Sequence, residues 1–202
     1  DTVGERVAAI EQAFDEAAGA PALVYAYDSD LDSTGHRFGP SSLHWRHQLR
    51  AVDELAQHVF DALPPGCALL VTGDHGMVDV TTADHIDIDA AVELGDGVVL
   101  IGGEPRFRHV YTAPGAATAV AARWQAHLGD RAIVLTREQA QSRGWFGPVD
   151  ERVRDRIGDV VVAALDSYVC LVPSVWPREA RMKGHHGSVT AAEMLVPCLV
   201  AH

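Results

Sequence analysis

Apolar positions along the chain fall into two patterns, stripes at spacings of three and four and short unbroken runs, and their order is informative. Val7, Ile10 and Phe14 form one such stripe and predict an amphipathic helix over residues 4–18, closed by Gly19 and Pro21. Residues 22–27, Ala-Leu-Val-Tyr-Ala-Tyr, are apolar on both faces, as a strand buried in the middle of a parallel sheet would be. A polar, glycine-bearing stretch over 28–40 follows and reads as a loop. Trp45, Leu49, Val52, Leu55, Val59 and Leu63 then mark a helix over 41–63, which Pro64-Pro65-Gly66 ends. Residues 67–72 form a second unbroken apolar run and run directly into Gly73-Asp74-His75-Gly76.

Downstream, the pattern predicts strands over 97–101 and 107–112, a helix over 116–128 and a strand over 131–136, a small β-β-α-β excursion. Residues 159–164 and 168–172 read as a hairpin-type pair of strands, and 197–200 as a last strand. Strand, loop, helix, strand, loop is the order of an α/β sheet, expected here to be mostly parallel and flanked by helices. Ligands of such sheets sit beyond the carboxyl ends of the strands, where both polar loops fall.

Composition narrows the function classes. The 202 residues carry 16 Lys and Arg against 28 Asp and Glu, a formal charge of −12 with no basic run, so nucleic acid is not an expected partner. The longest apolar runs fall well short of the roughly 20 residues of a membrane helix. Cys67, Cys170 and Cys198 sit among aliphatic residues without a metal or redox spacing and read as reduced core thiols, which points to a reducing, cytoplasmic location. The chain opens at Asp1 without an initiating Met.

Three polar clusters carry the candidate chemistry. Asp32 and His36 stand four apart after the first apolar run, Asp74 and His75 are adjacent after the second, and Gly184-His185-His186-Gly187 adds two imidazoles near the end of the chain. Carboxylate oxygens and imidazole nitrogens suit a divalent transition metal such as zinc. Two Asp with two or three His is about the inventory of a two-metal phosphoryl-transfer site, whose ions lie roughly 3.5–4 Å apart. Alone, Asp32 and His36 read as a solvated loop carboxylate beside an exposed histidine, and it is the recurrence at Asp74-His75 after a second apolar run that argues for a site. The other candidates read as structural: Asp84-His85 as an exposed pair, His44 and His47 as solvent-facing, Tyr25 and Tyr27 as packing, Arg106 and Arg108 as edge-strand charges.

Together, Asp32-Ser33-Thr34-Gly35-His36-Arg37-Phe38-Gly39-Pro40, Leu70-Val71-Thr72-Gly73-Asp74-His75-Gly76-Met77-Val78-Asp79-Val80 and His185-His186-Gly187-Ser188 resemble the alkaline phosphatase superfamily, in its type I phosphodiesterase and nucleotide pyrophosphatase branch. The motifs occur in family order across nearly the whole chain. The resemblance implies an alkaline-phosphatase-like sandwich and two zinc ions, one on Asp32, His36 and His186 and the other on Asp74 and His75. His186 is preferred to His185 because it directly precedes the glycine, which leaves His185 as a pocket residue. The resemblance also implies hydrolysis of phosphodiester or nucleotide pyrophosphate bonds through a phospho-enzyme.

The family's N-terminal half, with its Thr or Ser nucleophile and a further Asp ligand, has no counterpart here. Residues 1–202 are therefore expected to be the C-terminal portion of such a domain, lacking the N-terminal strands, with a subdomain excursion at about 92–142. The missing half is the expected partner, and an apolar sheet edge should be left exposed without it. A non-catalytic metal-binding module is the alternative reading, and a sulfatase or phosphomutase relative a further one.

Overall fold

A computed structural model describes residues 2–202. In chain order the elements are α1 (Val3–Glu16), α2 (Asp30–Phe38), α3 (Leu43–Asp61), β1 (Leu69–Thr72), β2 (Val78–Asp79), β3 (His85–Asp87), β4 (Val98–Glu104) and β5 (Phe107–Thr112). There follow α4 (Ala117–Leu128), β6 (Ala132–Thr136), α5 (Arg137–Ser142), α6 (Glu151–Arg154), β7 (Val160–Ala164), β8 (Val169–Leu171), β9 (Gly184–His185), α7 (Ala191–Met194) and β10 (Cys198–Ala201). They divide into two compact units, Asp1–Asp74 with Val196–His202, and His75–Leu195.

In the first unit, local chemistry sets each helix. Thr2 caps α1 through a capping box with Glu5, whose carboxylate accepts back from the Thr2 N–H at 2.7 Å. Ser42 caps α3 by accepting from the Trp45 N–H at 3.1 Å. Arg6 of α1 pairs with Asp28, and the other oxygen of that carboxylate accepts from the Asp30 N–H at 2.9 Å, which sets the entry to α2. β1 and β10 pair antiparallel, Leu69 facing Ala201 and Thr72 facing Cys198.

The second unit holds the main core. Its four-stranded sheet runs β4-β5-β7-β6 with every pair antiparallel. β7 is buried throughout, and its side chains alternate as a strand of period two must. Val160 and Val162 face the cluster formed with Val120, Trp124 and Leu128 of α4, while Val161 joins Leu135, Ala140 and Ile157 on the opposite face. Trp124 is wholly buried and donates its Nε1–H to the Leu94 carbonyl at 3.1 Å.

The α/β class and the β-β-α-β order of β4, β5, α4 and β6 match the sequence reading, but several elements differ. Among the described residues only β3 and β8 pair in parallel, and the remaining ladders are antiparallel. Residues 22–27 form no helix, turn or ladder among the described residues, and Leu23 and Tyr25 are 96% and 84% exposed rather than packed. Their unbroken apolar pattern specifies burial on both faces, which needs neighbours on both sides. Asp32 and His36 lie on a helix and not in a loop. Asp30 and Asp32 in the first turn and His36 and Arg37 in the last complement the helix dipole, and Gly39 at φ 85° closes the helix.

β7 and β8 do not form a hairpin. Both edges of β7 are already taken by β5 and β6, so β8 pairs with β3 instead. Of the cysteines only Cys170 is a core thiol, its pKa pushed up to about 11 by burial, whereas Cys67 is half-buried and Cys198 exposed on β10. Asp84 and His85 are half-buried rather than exposed, because Asp84 accepts from Thr81 and from the Ser167 hydroxyl at 2.8 Å. No helix among the described residues is long and apolar enough to cross a membrane.

Candidate metal centre

In the first unit, the i,i+4 spacing on α2 stacks Asp32 and His36 one turn apart on the same face. Asp32 Oδ1 and His36 Nε2 lie 3.4 Å apart. The helix therefore brings a carboxylate oxygen and an imidazole nitrogen to one point, as the two separate turns of a loop would not. β1 carries the chain to Gly73 and Asp74, and its last residue is tied down by the Thr72 hydroxyl, which donates to the Pro197 carbonyl at 2.9 Å.

In the second unit, the segments bearing His75 and His186 are brought side by side. β2 and β9 pair antiparallel, with Val78 opposite His185 and Asp79 opposite Gly184, and the Val80 N–H extends the contact to the Lys183 carbonyl at 2.8 Å. Beyond this short ladder the rings of His75 and His186 stack, centroids 3.5 Å apart and planes within 14°. His75 Nδ1 is 2.8 Å from the Gly76 carbonyl oxygen. A carbonyl only accepts, so this contact selects the Nδ1–H tautomer and puts the imidazole lone pair on Nε2. His186 Nδ1 lies 3.6 Å from Glu104 Oε2 at the end of β4. His185 is buried to 1% exposure within β9.

Two motif glycines are explained by close approach. A Cβ on Gly76 would stand 2.0 Å from the Ala192 carbonyl oxygen, so the backbone of the α7 segment fills the space a side chain would need. Gly187 has φ 113°, and a Cβ there would meet Glu104 Oε2 at 3.0 Å.

Arg106 and Arg108 are not edge charges, since Arg108 lies on the interior strand β5 and Arg106 in the turn between β4 and β5. Both are wholly buried. Arg108 pairs with Glu179, donates to the Cys170 and Gly103 carbonyls and lies over the Trp176 ring. Burial raises the Glu179 carboxyl above its ordinary value against the pull of Arg108. Arg106 forks onto Glu193, with Nε to Oε1 at 2.9 Å and Nη2 to Oε2 at 2.6 Å. Burial opposes ionisation of Glu193, but hydrogen bonds from Arg106, Thr190 and the Ser188 N–H outweigh it and hold the carboxyl below its ordinary range.

Sequence reasoning missed Glu104 and Glu193. For Glu193 a signal was present, because Thr190-Ala191-Ala192-Glu193 has the spacing of a capping box. The cap itself does not form in that way. The carboxylate turns inward to Arg106, and Thr190 donates its hydroxyl to it.

The mixed α/β fold has counterparts among known proteins. Two solved structures of murine ectonucleotide pyrophosphatase/phosphodiesterase 5, one an inactive variant in complex with AMP, superpose with TM-score 0.77 at 22% identity, over 99% of this chain and 52% of theirs. The human protein of the same name gives 0.74 at 21% identity over the same shares. Human ectonucleotide pyrophosphatase/phosphodiesterase family member 7 is 33% identical over 110 residues, 45% of this chain and 24% of the relative. The family model for type I phosphodiesterase / nucleotide pyrophosphatase matches residues 1–189, and the chain belongs to that family, within the alkaline phosphatase superfamily. It spans about half the length of the solved relatives and about a quarter of the curated one.

Proposed function

We propose that this chain supplies most of the metal-holding side chains of a hydrolase acting on phosphodiester or nucleotide pyrophosphate bonds, with the nucleophile contributed from elsewhere in the fold. The observation that carries the reading is the Asp32–His36 pair, 3.4 Å apart on one face of α2, within the residues that the family model matches. A carboxylate oxygen and an imidazole nitrogen at that separation fit a zinc-type ion. In this reading Asp32, His36 and His186 hold one ion and Asp74 and His75 the second, while His185, buried in β9, shapes the pocket wall.

Bound zinc would supply positive charge to the phosphate oxygens and lower the pKa of water to about 7. The chain's own residues do the rest. The His75 tautomer presents Nε2 as its donor atom, the half-exposed Glu104 carboxylate beside His186 Nδ1 orients that ring, and α2 holds its two donors in register. Because the ions would carry the local positive charge, an acidic chain is compatible with an anionic nucleotide or other phosphoester.

The test is zinc content together with bis-p-nitrophenyl phosphate hydrolysis on this chain. Zinc bound without turnover is expected, the phospho-enzyme step needing the absent nucleophile. That result is shared with a non-catalytic metal-binding module; supplying the remaining half of the fold separates the two by restoring turnover only for the enzyme. Turnover by the chain alone, abolished in Asp32→Ala, would place a nucleophile within it. Absence of zinc binding would overturn the metal reading.

A further inference from the structure

Two segments of the second unit that bear candidate ligands, 75–80 and 183–188, are zipped together at one end by the β2–β9 ladder. At the other end they are joined through a single buried residue, Glu193. Its backbone carbonyl accepts from the Gly76 N–H at 2.7 Å, next to His75. Its side-chain Oε1 accepts from the Ser188 N–H at 3.0 Å, two residues past His186. Ser188 is fixed in turn by its hydroxyl, which donates to the Ala164 carbonyl at the end of β7. Glu193 thus touches both histidine-bearing segments, one with its backbone and one with its carboxylate.

What holds Glu193 is Arg106, in the turn that joins β4 to the interior strand β5. The guanidinium lies at 0% exposure and binds both carboxylate oxygens, and its Nη1 donates to the Tyr168 carbonyl at 2.6 Å. A bidentate fork fixes direction as well as distance, which a lysine ammonium would not. The rigid sheet is therefore connected through Arg106 and Glu193 to the backbone beside His75 and to the backbone beside His186. Gly76 allows the approach, since any side chain there would collide with the Ala192 carbonyl.

We propose that Arg106 and Glu193 are positioning residues that set the spacing of His75 and His186, and through it the affinity for the metal. This rests on the metal reading above for its affinity arm but not for its structural arm. A merely structural buried ion pair would stabilise the unit without acting on these two rings. Arg137, which pairs with Asp159 at 2.8 Å and donates to the Ile157 carbonyl, provides that comparison in the same unit.

The experiment uses Glu193→Gln, Arg106→Lys and, as comparison, Arg137→Lys in the full chain, each followed by urea denaturation, by zinc competition against a chromophoric chelator and by the ring-proton NMR resonances of His75 and His186 in metal-free protein. Glu193→Gln and Arg106→Lys are expected to weaken zinc binding about 10- to 100-fold, the range for groups that orient metal ligands, and to shift both sets of ring resonances. Arg137→Lys is expected to lower the urea midpoint while leaving zinc affinity and both rings unchanged. Unchanged ring resonances in folded Glu193→Gln and Arg106→Lys, or equal losses of affinity in all three variants, would overturn the proposal. Should the wild-type chain bind no zinc, the metal reading fails, and the ring resonances alone still decide the positioning role.

Discussion

The rings of His75 and His186 stack face to face at 3.5 Å between centroids, although they come from opposite ends of the second unit's sequence. Each ring lies in the shielding region of the other, so His186→Ala is expected to move the His75 ring-proton resonances downfield without changing the far-UV circular dichroism. Unmoved His75 resonances would show that the two rings do not stack in solution.

The helix α4 is held by one large side chain more than by any other. Trp124 fills the centre of the main cluster and satisfies its indole N–H on the Leu94 carbonyl. Trp124→Ala leaves a cavity and an unpaired carbonyl together, and the expected loss is about 3–5 kcal/mol of unfolding free energy. Urea titration at constant m-value measures it. A loss below about 1 kcal/mol would place this residue outside the core.

His109 gives the fold a dependence on pH. Burial lowers its pKa below the ordinary 6.5, and its Nδ1 accepts from the Gly158 N–H at 3.0 Å, a bond that the protonated ring cannot make. The unfolded chain therefore binds a proton that the folded one resists. Stability is retained above pH 6.5 and declines as the pH falls through 6.5 towards the folded-state value. His85, also lowered by burial, acts in the same window. Melting temperatures of the wild type and His109→Gln between pH 8 and 5 check this, and the variant is expected to show a shallower decline.

The first unit exposes much of its apolar surface. Leu23, Tyr25, Leu70, Leu199 and Val200 are each at least 60% exposed, and in this unit only Ile10 is a buried hydrophobic among the described residues. Exposed apolar side chains and an apolar run without a ladder favour association. Sedimentation velocity is expected to show self-association that rises with protein concentration and is reduced by Leu23→Lys with Tyr25→Lys. A monomer at all concentrations would contradict it.

Helices were legible wherever an apolar stripe met a cap, as at Ser42 and α3, and β5 was legible residue by residue because its neighbours supply the burial its pattern demands. Pairing was not legible. An apolar run such as 159–164 reports that a strand is buried but not by which partner, and the antiparallel sheet around β7 emerges only from non-local contacts. The histidines and aspartates of the candidate site stand out in the sequence because glycine-flanked polar clusters interrupt apolar runs. Arg106 and Glu193 do not, since a charged residue in a turn or a short helix normally signals the surface, and only the folded chain brings together two such residues from distant positions.

Zinc titration of the wild-type chain beside Asp32→Ala and His186→Ala tests the metal assignment most directly. Three protein ligands suffice for an ion with an open position, so about one tightly held zinc per chain is expected, lost in both variants while the circular dichroism is retained. Full retention of zinc in either variant, or none in the wild type, would contradict the assignment of Asp32, His36 and His186 to one ion.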